Sequence, residues 1–461
     1  MSAVRNISRR SFLKDAGCVT TASIFMDSLA PRLYAAEDNT IQVALIGCGG
    51  RGTGAASDAL EVKRGPMKLV AMADVFKNRL DSSYKGLKGS HEKLVDVPEE
   101  RRFLGFDAYK HAMDCLRPGD IAILTTPPAF RWVHFTYAIE KGLNVFMEKP
   151  VTVDGPTSRR MFELGKAADA KKLKVGVGLM SRHSRALGQL QQRIRDGEIG
   201  DIVLQRGYRM QGPIGFFQSM PKPPGISDLL YQVQRFHSFL WAGGGCFSDF
   251  NIHIIDHQAW MKGSWPVKAL AVGGRHYRTN PNGIAYVDQN FDSYSVEYTY
   301  ADGSKFFMDG RCMAGCSDVY SSYAHGSKGM AIVSKSGDCG MPSSTYRGQD
   351  PVDSNKIWES KVDPGEGNPY ANEWNDLVDA IRNDKPYNET ESGVKTSLVT
   401  SMGRMSAHTG REITYEEILN CDHEMAPGLD KITMDSPAPV QAGPDGRYPV
   451  PQPGIVVDRE Y

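Results

Sequence analysis

Residues Thr40–Gly54 read TIQVALIGCGGRGTG, and this stretch decides the fold. Ile41–Ile46 is a continuous apolar run, the pattern of a strand buried on both faces. It breaks into Gly47-Cys48-Gly49-Gly50-Arg51-Gly52, a complete G-x-G-x-x-G. Gly47 permits a tight turn out of the strand. Gly49 lets backbone N–H groups approach a pyrophosphate, and Gly52 lets the next helix pack close to the sheet. That helix begins near Arg51, with Gly50 just before it, and points its positive dipole end at the phosphates. A second apolar run, Met67–Ala73, ends in Asp74, 22 residues past Gly52. A carboxylate there accepts both ribose hydroxyls of NAD and repels a 2′-phosphate, so NAD is expected over NADP.

Downstream, strand and helix patterns alternate. Ile121–Thr125 reads as a buried strand ending in Thr126-Pro127-Pro128. Proline stops such a strand and opens a turn at its carboxyl end, where ligands sit in parallel sheets. A helix through His134–Lys141, a strand Asn144–Met147, a helix near Asp154–Lys171 and a strand Lys174–Leu179 follow. Residues 38–172 are therefore expected to form a doubly wound parallel sheet of the α/β class, a Rossmann domain.

After Met180 the texture changes. Ser181–Gly197 reads as helix, Ile202–Gln211 as strand, Pro213–Gly225 as loop and Asp249–Lys262 as helix. Val267–Arg278, Asp292–Tyr300, Lys305–Cys312 and Met330–Ser334 read as strands of one mostly antiparallel sheet. Glu373–Asn383 and Lys395–Thr409 are late helices. Residues 173–425 are expected to be a second α/β domain, and 426–461, rich in Pro, Gly and Asp, an extended surface tail.

The chain has 461 residues, enough for two large cores, with 54 basic and 54 acidic side chains. That balance argues against a nucleic-acid or membrane-surface binder. Eight cysteines are scattered without zinc-like spacing; Cys312 and Cys316 are the closest pair. Ser8-Arg9-Arg10-Ser11-Phe12-Leu13-Lys14 forms a complete twin-arginine export pattern, followed by the mildly apolar Ala16–Met26 and by Ala35-Ala36 as a cleavage region. Residues 1–36 are therefore expected to be a signal peptide, and the mature protein periplasmic or secreted, with no membrane span. Such export makes a disulfide possible. The route carries folded proteins, and free NAD is scarce outside the cytoplasm, so a cofactor retained through turnover is expected.

Two stretches carry chemistry. Glu148-Lys149-Pro150 stands at the carboxyl end of a parallel strand, where a lysine can donate to a reacting oxygen and stabilise its charge. Gly243-Gly244-Gly245-Cys246-Phe247-Ser248-Asp249-Phe250-Asn251-Ile252-His253-Ile254-Ile255-Asp256 is the other. On a regular helix Asp249 and His253 are i and i+4, so the carboxylate can orient the imidazole as a general base. A metal site of Asp249, His253 and His257 is a less compelling alternative, because its spacing drifts around the helix. A capping Asp beside a buried His is the simplest one.

These pieces together resemble the glucose–fructose oxidoreductase, inositol dehydrogenase and rhizopine-catabolism (Gfo/Idh/MocA) family. The resemblance rests on Gly47–Gly52, Asp74, Thr126-Pro127 with Arg131 and His134, Glu148-Lys149-Pro150, Met180-Ser181-Arg182-His183 and Gly243–Asp256. It implies a Rossmann domain, a second domain with an open sheet used for homo-oligomer contacts (dimer or tetramer), and hydride transfer from a sugar, cyclitol or glycoside hydroxyl to NAD(P). It places catalytic roles on Lys149, Asp249 and His253; Asn251 departs from the glycine many members carry. Arg182, His183, Tyr208 and Arg235 are polar candidates for sugar hydroxyls. The alternative within the same chemistry is a redox-neutral glycoside cleavage through a keto-sugar.

Overall fold

The computed structural model describes residues 39–461, so the twin-arginine pattern, the cleavage region and Cys18 lie outside the described residues. The first sheet has six parallel strands: β1 (Ile41–Ile46), β2 (Met67–Asp74), β3 (Arg102–Leu104), β4 (Ile121–Leu124), β5 (Asn144–Met147) and β6 (Val175–Val177). Their spatial order is β3-β2-β1-β4-β5-β6. The chain runs outward from β1 on one side and returns to start again at β4 on the other. The β1/β4 boundary is therefore the switch point, where a crevice opens beyond the carboxyl ends. The apolar run of β1 sits at the centre of this sheet and is buried on both faces, as its sequence requires.

Helix Gly50–Leu60 turns Ala55, Ala56, Ala59 and Leu60 onto the sheet. Beside it packs a helix from much later in the chain, Pro369–Arg382, whose Trp374 stacks on Phe146 of β5 at 4.3 Å. The first core is thus completed by residues far beyond 172.

The second sheet has nine strands: β7 (Ile202–Gln211), β8 (Lys268–Gly274), β9 (Ser293–Thr299), β10 (Lys305–Cys312), β11 (Val319–Gly326), β12 (Gly329–Ser334), β13 (Ser344–Arg347), β14 (Lys356–Glu359) and β15 (Ile413–Thr414). The order is β14-β13-β12-β11-β7-β10-β9-β8-β15. Only β7 and β10 run parallel; the other neighbours are antiparallel. β11 was not legible, because VYSSYAHG lacks an apolar alternation; its place between β7 and β12 makes it a strand. One face of this sheet packs on helix Ile252–Lys262, with Gly207 against Ile254, and on helix Thr390–Thr409. The other face carries Leu270, Val272, Phe307 and Tyr208.

The segment 426–461 is a strap and not a free surface tail. Gln232 and Gln289 donate their amides to the Val440 and Pro449 carbonyls. Glu460 ends buried against Arg404 at 2.7 Å and His408 at 2.6 Å. A guanidinium buried as deeply as that of Arg404 requires such a carboxylate. Among the described residues all seven cysteines are free, and no helix is long and apolar enough to cross a membrane.

Candidate active site

A cleft of about 820 Å³ opens at the carboxyl ends of β1, β2, β4 and β5. Its nucleotide end is backbone. Gly47 has φ +98°, and a Cβ there would meet the Thr126 nitrogen at 2.7 Å. A Cβ on Gly52 would sit 2.0 Å from the Gly47 carbonyl. Gly49 and Gly50 have nothing within 4 Å of that position and open onto the cleft. Asp74 ends β2 and accepts from the Cys48 and Phe76 N–H groups at 2.6 and 2.8 Å. Burial raises its carboxyl above the usual range, against those N–H bonds. Arg51 leaves the helix start to bind Glu148 at 2.7 Å and lies over the Tyr370 ring at 4.7 Å. The loop, the helix start and Asp74 fit the pyrophosphate and ribose of a dinucleotide.

The turn after β4 forms the adjoining wall. Buried Arg131 donates to the Leu124 and Thr126 carbonyls at 2.6 and 2.9 Å, which ties off the strand end. Thr126 and Pro127 line the cleft, and the Thr126 hydroxyl meets His134 Nδ1 at 3.1 Å. Burial, with the Arg131 charge, lowers His134 to about 3, so this imidazole is neutral.

At the inner end stands Lys149, just past β5. Its Nζ donates to the Asp249 carbonyl at 2.7 Å and approaches Asp249 Oδ1 at 3.3 Å. The other carboxylate oxygen, Oδ2, meets His237 Nε2 at 3.1 Å. The Phe216 N–H donates to His237 Nδ1 at 3.1 Å, so Nε2 carries the proton and donates to Asp249. Burial pushes the Asp249 carboxyl up, but Lys149 and His237 outweigh it and hold the group well below the usual carboxylate range. Phe216, Phe236 and Phe250 roof this end, Phe216 arriving on the loop Pro213–Gly225.

No family model matches the chain. Inositol 2-dehydrogenase of Corynebacterium glutamicum is 31% identical over 176 residues, 36% of this chain and 50% of that protein. The rhizopine catabolism protein MocA of Rhizobium meliloti is 27% identical over 164 residues, 35% of this chain and 44% of that protein. The chain thus spans about half the length of these curated relatives or less. The solved scyllo-inositol dehydrogenase of Lactobacillus casei, with bound NAD(H) and scyllo-inositol, superimposes with a TM-score of 0.57 at 19% identity. That match covers 82% of this chain and 99% of the other. The chain shares the fold of that dehydrogenase and is similar in part of its sequence to inositol 2-dehydrogenase and MocA.

In this chain the expected Asp249–His253 pair does not form. The pair presumes a regular helix, and the chain makes a π turn over Phe247–Asn251 before the α-helix begins at Ile252. Asp249 is instead shared by Lys149 and His237. His253 is buried beyond the cleft lining, with Nδ1 unpartnered. Burial, then the Lys149 and Arg209 charges, hold it well below its usual range and neutral. The alternative metal trio does not converge either, since His257 Nε2 is taken by the Ser322 hydroxyl at 2.8 Å. Asn251 occupies its departure position because Gly310 beneath it lacks a Cβ; one there would meet Asn251 Nδ2 at 2.5 Å.

The four expected hydroxyl ligands lie outside the cleft. Arg182 is held by both oxygens of buried Asp256 at 2.8–3.0 Å. His183 bridges Asp376 at 2.8 Å and Glu389 at 3.1 Å. Its burial opposes charge, but Glu389 and Asp376 raise it to about 10. Tyr208 is on the open face of the second sheet, in the β7 position opposite Asp309. Arg235 donates to the Ser219 hydroxyl and Gln218 carbonyl at 2.8 and 2.6 Å, pinning the loop that carries Phe216. Arg182, His183 and Arg235 are held by other protein groups, and Tyr208 lies on the other face of the sheet. His237, in Phe236-His237-Ser238, had no motif to reveal it.

Proposed function

We propose that this chain oxidises a hydroxyl of a sugar, cyclitol or glycoside, with NAD as tightly held hydride acceptor. The observation that carries the reading is Lys149, fixed by Asp249 at the end of the cleft opposite the glycine loop. Gly47–Gly52, Asp74 and the Thr126-Pro127 turn hold the nucleotide, and bound there it supplies the acceptor for hydride. Lys149 Nζ donates to the reacting oxygen and stabilises the charge that grows as its proton leaves. Asp249 stays ionised and keeps the ammonium aimed. His253, kept neutral behind the cleft lining, is the proposed final acceptor of the hydroxyl proton, which reaches its unpartnered Nδ1 through a relay and not by direct contact. The dehydrogenase names of the relatives support this reading.

The test is to denature the purified, unsupplemented protein and identify the released nucleotide, then to offer myo-inositol, scyllo-inositol and glucose and follow NADH absorbance. NAD in the extract and turnover of a neutral polyol are expected; a protein that neither carries nor binds NAD(H) overturns the reading. Asp74 favours NAD, and equal affinity for NADP would remove that preference. The twin arginines are proposed to direct export, so Arg9→Lys with Arg10→Lys is expected to leave a reporter fusion in the cytoplasm. A homo-oligomer is proposed through the open sheet face. There Leu270 and Phe307 both register on Glu297, and Leu270 is 52% and Val272 71% exposed. Sedimentation checks it.

A further inference from the structure

One cation in the cleft wall is unused by the reading above, on which this inference rests. Arg79 stands on the helix Lys77–Ser90, just past Asp74, and both residues line the cleft. Its Nη2 donates to the Gln234 carbonyl at 3.0 Å, across 155 residues of chain. Gln234 ends the helix Asp228–Gln234, so that carbonyl has no partner within its own helix. Val233 and Phe236, on either side of it, line the opposite wall. The guanidinium also lies 4.8 Å from the centre of the Phe76 ring and 5.9 Å from that of Phe216. Phe76 belongs to the wall beside Asp74, and Phe216 to the roof over Lys149. Burial lowers the guanidinium pKa and the Asp74 charge opposes it, so the bridge stands beside the expected ribose carboxylate. The opposite wall is held from behind. Gln232 donates to the Val440 carbonyl of the strap and accepts from Trp241 Nε1 at 2.7 Å. Arg235 holds the Gln218 carbonyl and lies 4.7 Å from the centre of the Phe216 ring. Two braced walls are thus joined here by one half-buried side chain.

We propose that Arg79 is a latch: bound to the Gln234 carbonyl, it closes the cleft over the adenosine part of the dinucleotide and keeps the cofactor in place between turnovers. A dinucleotide laid from Asp74 to Lys149 passes beneath the bridge. Opening requires the guanidinium to swing off the carbonyl, which breaks one hydrogen bond from a charged donor and moves no backbone. A latch slows entry and exit alike, whereas a residue that only touches the cofactor slows exit alone.

The test uses the full chain, cleared of nucleotide with charcoal and reloaded with NADH. Wild type is expected to keep its NADH through gel filtration. Stopped-flow NADH fluorescence gives the association rate, and a chase with excess NAD gives the release rate. Arg79→Met, which keeps an apolar stem and loses the donors, is expected to speed both rates roughly tenfold, the scale of one lost hydrogen bond from a charged donor, and so to change affinity little. Arg79→Lys, which restores a donor, is expected to slow both again, and equal melting temperatures certify the fold. Faster release in Arg79→Met with association unchanged makes Arg79 a cofactor ligand and overturns the latch, as do rates equal to those of wild type. If the wild-type chain binds no NADH at all, the oxidoreductase reading falls and the latch with it. If NADH binds but washes away on gel filtration, the latch falls alone.

Discussion

The end of the cleft proposed to hold the nucleotide and the end that holds Lys149 are made of different material. The first comes from one βαβ unit, Ile41–Asp74, and its working surface is backbone: a turn at Gly47, an open edge at Gly49 and Gly50, a close approach at Gly52. The second draws Lys149, His237 and Asp249 from separate elements, and its working surface is side chains held by one another. A backbone site tolerates change poorly where a Cβ has no room. A side-chain site fails when any member of its network loses a partner.

The largest effect expected is at the reacting end. Lys149→Ala should slow single-turnover NAD reduction on the order of a hundred- to a thousand-fold, the usual loss for a preorganised donor, while NADH titration shows little change. Near-normal rates would dissolve the distinction between the two ends. Gly52→Val should do the reverse. Its Cβ collides with the Gly47 carbonyl, and overpacking of about 1–3 kcal/mol corresponds to roughly ten- to a hundred-fold weaker NADH binding. Fluorescence titration reads this directly.

Within the reacting end, His237→Ala should lower kcat about tenfold by releasing one Asp249 oxygen, in line with a lost bond to a charged group. Asp249→Asn combined with His237→Ala should cost less than the sum of the two, and combined with His253→Ala should be close to additive. Coupling of Asp249 to His253 instead would restore the helical pair that the spacing suggests. His183 offers the most local effect. Its folded pKa, about 10, lies above the ordinary 6.5, so its contribution is complete below about pH 6.5 and is lost as pH rises through about 10. Thermal melts across that window should fall in wild type and flatten in His183→Gln.

Much of the molecule was legible in advance. β1, β2, β4 and β5 follow apolar runs, and β7 and β10 match their expected limits, because a buried strand needs its apolar residues in local order. β11 and β13–β15 were not, since neighbouring strands supply what their own residues lack. The reach of the tail was hidden for a similar reason: Glu460 and Arg404 each look like surface charge until they meet.

The sequence by itself determined the dinucleotide-type cleft, its position at the switch point and the lysine at its inner end. Glycine spacing and strand-end residues act through local backbone geometry, which the chain carries wherever it folds. Only the tertiary structure decided that Asp249 serves Lys149 and His237, and that Arg182 and His183 are consumed by carboxylates remote in sequence. A side chain's role depends on which partner it reaches first. Packing between elements remote in sequence settles that, and local pattern holds no record of it.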